Sequence, residues 1–189
     1  MILPMRILII GANGVIGKII MPEFAEKHEV ITAGRNSGDL RVDIACIASL
    51  EAMFQQVKAL DACICVAGDS ETCEFSQLTE KHLQTGIKSK LLGQINLVRI
   101  GQKYLNDNAS FTLTSGKMGD KPVKGATGKA FVNGAINSFV LAASLDLPRG
   151  LLLNAVSPAK IGSVANQEIV NAYRQAVESK VNSEIFRIY

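Results

Sequence analysis

No apolar run in this sequence approaches the ~18 residues that a membrane-spanning helix requires, and the first apolar segment is broken by Pro4 and Arg6. That segment also lacks a basic leader and a small-residue cleavage site, so it does not read as a secretory signal. A cytoplasmic protein with no membrane partner is expected. There is no basic run either: 20 Lys and Arg are dispersed among 17 Asp and Glu, a net charge of +3 that leaves no footprint for nucleic acid. Cysteine is sparse. Cys63 and Cys65 stand two apart in Asp61-Ala-Cys-Ile-Cys-Val-Ala67, which puts both on one face of a strand, where neighbours are poorly placed for a disulfide. Cys73 alone supplies no second ligand pair, so no metal is expected. Repeats, low-complexity tracts and dividing linkers are missing, and residues 1–189 read as a single domain.

What is present is enough for a core. At 189 residues, 48% of them apolar, the chain should bury roughly 70% of its unfolded surface, enough to offset chain entropy without staples. Short apolar runs alternate with longer amphipathic ones, the pattern of successive β-α units on a parallel sheet. Strands are expected at Met5–Ile10, Glu29–Ala33, Asp61–Ala67, Ser110–Thr114, Leu151–Ala155 and Glu184–Ile188, with a short one at Leu40–Val42. Helices are expected at Val15–Lys27, Ile47–Lys58, one long element near Thr79–Leu105, another near Gly128–Leu145, and Gln167–Ser179. Near-continuous apolar strands with short right-handed connections give an α/β, doubly wound, Rossmann-like three-layer αβα fold.

The first strand runs into Gly11-Ala-Asn13-Gly14-Val15-Ile16-Gly17 and then a helix. Glycines there allow a tight turn, close approach of a pyrophosphate and close packing of helix on strand, while the helix N-terminus supplies free N–H groups. The alternative is a glycine-rich turn with no ligand. The second strand ends at Ala33-Gly34-Arg35, where an acid would accept the ribose 2′-hydroxyl of NAD and a guanidinium would pair with the 2′-phosphate of NADP. Arg35 therefore favours NADP(H) over NAD(H), a solvated arginine being the alternative. Asp43 could accept from an adenine amino group or cap a helix.

Further along, Val66-Ala67-Gly68, Thr112-Leu-Thr-Ser115, Lys129-Ala-Phe-Val-Asn-Gly134 and Asn154-Ala-Val-Ser-Pro158 follow in order. With the glycine loop they make the chain resemble the short-chain dehydrogenase/reductase family over essentially its whole length. The resemblance implies an NAD(P)-binding domain in which Ala67 and Gly68 border the cofactor, Ser115 polarises the substrate oxygen and Lys129 grips the nicotinamide ribose. It also implies a homodimer or homotetramer.

The match fails at the acid. The family's tyrosine, four residues before its lysine, falls on Gly125, and no tyrosine occurs between Tyr104 and Tyr173. Lys90, in Lys90-Leu-Leu-Gly93, stands where the family has a tetrad asparagine. Lys90 and Lys129, if close, would depress one another's pKa and make one a proton donor; water relayed through Ser115 is a second route, and a solvated Lys90 is the plain alternative. Few residues separate Pro158 from Gln167, so an open substrate site is expected, and the acids Asp69, Glu71 and Glu74 are expected to be solvated. His28 and His82 read as surface residues, Tyr104 and Tyr173 as packing or surface residues. Two functions follow: an NADP(H)-dependent oxidoreductase acting on a small carbonyl or alcohol, or an NADP(H)-binding sensor or scaffold without turnover.

Overall fold

Successive residues of the strand Arg6–Ile10 (β1) face opposite ways, and both ways are apolar: Leu8 and Ile10 enter one core cluster, Ile7 and Ile9 the other. The computed structural model, which describes residues 3–189, repeats this in Leu60–Cys65 (β4), where Cys63 and Cys65 face the first cluster and Ala62 and Ile64 the second. The remaining strands are Glu29–Gly34 (β2), Leu40–Arg41 (β3), Leu105–Thr114 (β5), Leu152–Pro158 (β6) and Ile185–Ile188 (β7). All seven are parallel, in the order β3-β2-β1-β4-β5-β6-β7. Helices Ile47–Gln55 (α2), Glu80–Gly86 (α3), Gly93–Gly101 (α4) and Thr127–Ala143 (α5) lie on the side of the first cluster; Val15–Ala25 (α1) and Asn166–Glu178 (α6) cover the second. This is the expected doubly wound, Rossmann-like three-layer fold. The strand order reverses between β1 and β4, which opens a crevice beyond their carboxyl ends.

The long helix expected near Thr79–Leu105 is present as unbroken helical backbone from Glu80 to Gly101, but it is not regular and it ends earlier. It is α3, a π-helical segment Ile87–Leu92, then α4, and the chain turns at Tyr104 before Leu105 pairs with Leu60 as the start of β5. The polar stretch Asn106–Asn108 hid that strand: between the Leu60–Leu105 and Ala62–Ser110 pairs the register shifts, and Asn108 takes a left-handed φ of 61°. Tyr104 stacks on Phe54 with ring centroids 5.3 Å apart. His28 is buried rather than on the surface: its Nδ1 accepts from the Met5 amide at 3.2 Å while Nε2 faces Glu178 at 3.5 Å.

A buried polar clamp holds the carboxyl end of β5. The Gln94 side chain of α4 donates to the Thr114 carbonyl at 3.0 Å and accepts from the Thr114 amide at 2.8 Å. Thr114 Oγ1 donates to the Cys65 carbonyl at 2.7 Å and lies 2.7 Å from the Tyr173 hydroxyl of α6. Gln94→Met leaves both buried peptide groups of Thr114 unpaired and should cost about 2–4 kcal/mol, whereas Tyr173→Phe, which leaves Thr114 Oγ1 its bond to Cys65, should cost ~1 kcal/mol. Urea denaturation midpoints measure both, and a Gln94→Met variant as stable as the parent would contradict the clamp.

Candidate functional site

The turn after β1 is shaped by steric exclusion. A Cβ on Gly17 would collide with the backbone oxygens of Gly11 and Ala12, so α1 can lie this close to β1 only with glycine there. Gly11 has a left-handed φ of 88°, and Gly14 is the N-cap of α1, whose first-turn amides at Val15, Ile16 and Gly17 have no intrahelical acceptor. Asn13 Nδ2 donates to Ser37 Oγ at 2.8 Å, tying this turn to the loop beyond β2.

Three cavities run along the carboxyl ends of the strands. One, of about 320 Å³, is lined by Gly11, Arg35, Asp43, Ala67 and Gly68, together with Asp69 and Ser89. Arg35 is exposed and, among the described residues, has no carboxylate within ion-pair distance. Asp43 does not cap a helix. Its carboxylate accepts from the Ala45 amide at 3.0 Å, closing a local turn, while the N-cap of α2 is Cys46 with no side-chain bond.

The second cavity, about 270 Å³, shares Ala67 and Gly68 with the first and adds Ile16, Lys90 and Ser115. Ser115 follows the clamped Thr114; it is 2% exposed, and its Oγ is buried with no hydrogen-bond partner. Lys90 is not a solvated helix residue. It projects from the π-helical segment, Nζ donates to the Ser115 carbonyl at 2.8 Å, and Gly68 packs so tightly that a Cβ there would come within 2.9 Å of Lys90 Cα. Burial pushes its ammonium down to about 8, with Lys129 adding a smaller push and the Cys65 and Asp69 side chains opposing. Of the lysine pairing expected from the sequence, the push of Lys129 on Lys90 is present, but desolvation leads.

The third cavity, about 600 Å³, shares Gly116, Pro158, Ala159 and Lys160 with the second, so the three form one trench. Lys129, on the first turn of α5, lines this third cavity and not the second, with Asn133 one turn further along. Gly125 lies outside α5, in left-handed backbone with φ 77°, its carbonyl accepting from the Cys73 amide at 3.0 Å. Any tyrosine at that position would have to adopt a conformation that side chains resist. Val123 is 58% exposed on the trench wall, and residues 159–165 alone join β6 to α6, so the trench is open as expected.

The acids Asp69, Glu71 and Glu74 beyond β4 are exposed, as expected, and two of them have partners. His82 caps α3, its Nδ1 accepting from the Thr79 amide at 3.1 Å, and its Nε2 faces Glu71 at 3.7 Å; Glu74 pairs with Lys124 at 3.6 Å. Lys160 and Ser37 were not singled out in the sequence. Lys160 could have been read from its place right after the Pro158-Ala159 element, and Ser37 from its place two residues beyond Arg35.

No family model matches the chain. A curated relative, short-chain dehydrogenase/reductase ATR9 of Stachybotrys chlorohalonatus (strain IBT 40285), is 29% identical over 116 residues. The match takes in 58% of this chain and 46% of that protein, so the chain spans about half the length of the curated relative. Among solved structures, the protein lin1944 from Listeria innocua is 36% identical, with 98% of this chain and all of that one covered and a TM-score of 0.94. A small-chain dehydrogenase in complex with NADPH superposes with a TM-score of 0.88 at 21% identity, covering 98% of this chain and 96% of its own. The last likeness is one of fold; the likeness to the curated relative is one of sequence over 116 residues.

The depressed Lys90 ammonium gives a measurable titration. Because its folded pKa of about 8 lies below the unfolded value of 10.5, folding disfavours the proton: stability rises with pH between these values, by up to about 3 kcal/mol, and the penalty is complete below pH ~8. NMR titration of ¹³Cε-labelled lysines should resolve one resonance with a midpoint near 8 that vanishes in Lys90→Met. A full lysine set titrating above pH 10 would overturn the assignment.

Proposed function

We propose that the protein is an NADP(H)-dependent oxidoreductase of the short-chain dehydrogenase type that moves hydride to or from a carbonyl or alcohol substrate. The observation that carries this reading is the continuous trench from Arg35 past Gly68 and Ser115 to Lys129. The residues fit a dinucleotide on three counts: the steric cradle of Gly11 and Gly17, the α1 amides beside it, and a guanidinium without an acidic partner at the tip of β2. In this reading Gly11, Asn13, Gly14, Val15, Ile16 and Gly17 hold the pyrophosphate, Arg35 the 2′-phosphate, Asp43 the adenine edge, Ala67 and Gly68 the nucleotide's flank, and Lys129 the ribose. When bound, the cofactor supplies or accepts the hydride.

Ser115 donates its unpartnered hydroxyl to the substrate oxygen. Lys90, whose ammonium is pushed down to about 8, holds a proton that it can release near neutral pH, which suits an acid at a site without tyrosine. Its bond to the Ser115 carbonyl keeps the amine beside the serine in either protonation state. The left-handed Gly125 and the short 159–165 connection favour the second reading, an NADP(H) sensor or scaffold. In either case we place the protein in the cytoplasm as a homodimer or homotetramer, supported by the exposed apolar residues Phe131, Leu141 and Leu145 on and after α5.

Titration with NADPH and NADH, followed by nicotinamide fluorescence, tests the cofactor assignment. Arg35→Ala should weaken NADPH roughly 10- to 100-fold and leave NADH unchanged, the size of one charge-assisted contact. Unchanged NADPH affinity would remove the 2′-phosphate assignment. Consumption of NADPH with any of a panel of ketones, aldehydes and quinones supports the enzyme, and binding without consumption across the panel supports the sensor.

A further inference from the structure

The third cavity has a charge imbalance of which cofactor binding uses only Lys129. Its wall carries Lys117, Lys124, Lys129 and Lys160 against a single acid, Glu74. Glu74 is already engaged by Lys124 at 3.6 Å, and the Lys117 ammonium sits 5.6 Å from the centre of the Tyr189 ring. That leaves Lys129 and Lys160. Among the described residues neither has a carboxylate within ion-pair distance. Lys160 lines both this cavity and the neighbouring one that holds Ser115, so it stands at the passage between the reacting end of the trench and the larger chamber.

The rest of the wall is largely apolar, with Met118, Val123 and Pro158, and its polar groups are Thr72, Cys73 and Asn133; Asn133 is 4% exposed, and its Oδ1 is buried with no donor. A buried amide oxygen without a partner is costly unless something donates to it, and here the side chain lines the chamber. Two cations without counterions beside a concave apolar wall raise the local potential and select an anion with an apolar body.

We infer that the substrate is a carboxylate-bearing carbonyl compound, an oxo acid whose anionic end is held in the third cavity by Lys160 while its carbonyl reaches Ser115. The inference rests on the oxidoreductase reading for the carbonyl but on the cavity alone for the carboxylate. Lys160 is the specificity determinant: an ammonium is a point charge that can donate to a carboxylate oxygen from several directions, which suits an open chamber. Its partial exposure limits the discrimination to about tenfold, and salt should erode it.

Ketone probes avoid imine formation with the lysines. Calorimetric titration of 4-acetylbenzoate, 4-oxopentanoate and 6-oxoheptanoate, each beside its neutral amide, is performed on the free protein and on the NADPH-saturated protein. At low salt at least one acid should bind about tenfold more tightly than its amide in one of the two states; the margin should shrink at 0.5 M salt and disappear in Lys160→Gln. Equal affinities within every pair, or no saturable binding of any acid in either state, overturn the inference, and a margin that survives Lys160→Gln overturns the role of that residue. Failure of NADPH to bind sinks the cofactor reading, whereas an acid preference measured in the free protein stands without it.

Discussion

The site depends on holding one strand end in place from both sides of the sheet. Thr114 is the last residue of β5, and its amide and carbonyl lie buried at the strand end, where a side chain and not a neighbouring strand completes them. Gln94 from the layer of α4 satisfies both the amide and the carbonyl, while the hydroxyl reaches through to Cys65 on β4 and Tyr173 in the opposite layer. Burial raises the Tyr173 phenol far above its ordinary range, against a smaller downward pull from its hydrogen bond to Thr114, so it remains a neutral hydrogen-bonding group. Such a network fixes geometry because every member is satisfied; a single apolar replacement would leave orphaned groups. Ser115 inherits its position from this clamp, with its own amide bonded to the Val156 carbonyl at 2.9 Å.

Lys90 is the next consequence. Gln94 lies four residues after Lys90, and both side chains reach backward to the end of β5, one to Thr114 and the other to Ser115. A regular helix turns by 3.6 residues, whereas the π-helical segment Ile87–Leu92 shifts the phase just where both contacts must be made. Gly68 lets the strand-end loop descend onto Lys90, which strips water from the ammonium. The perturbed lysine is therefore a product of packing. Its titratable neighbours, Cys65, Lys129 and Asp69, act in opposing directions and do not reverse the effect of burial.

The layered fold was legible because its strands are apolar on both faces: runs such as Ile7–Ile10 and Ala62–Cys65 admit no half-exposed alternative. The glycine turn was legible for a steric reason, since Gly17 marks a contact that no other residue permits. What could not be read depends on distant partners. The start of β5 is polar and bulged, so Leu105 looked helical until Leu60 paired with it. His28 is polar by composition, yet the Met5 amide and Glu178, remote in sequence, bury it. The π-helical segment within the long helix accompanies the reach of Lys90 and Gln94 to the end of β5, which no local periodicity records. Lys160 drew no notice because a lysine in a short loop is unremarkable until two cavities are seen to meet at it.

The placement of Gly125 bears on how a proton could move. In left-handed backbone two residues before α5, bonded through its carbonyl to the Cys73 amide, this position is fixed by its own turn and not by the helix that carries Lys129. A side chain there would face strain of about 1–2 kcal/mol as well as an altered turn. His82 is no substitute. Its Nδ1 is occupied by the Thr79 amide, so accepting a proton there would dismantle the cap of α3. The Cys73 thiol at 3.6 Å from that same nitrogen can share its lone pair but cannot easily transfer a proton to it. Within the trench, Lys90 and the orphaned Ser115 hydroxyl are joined at one residue, so the two would move as a unit if the clamp on Thr114 were loosened.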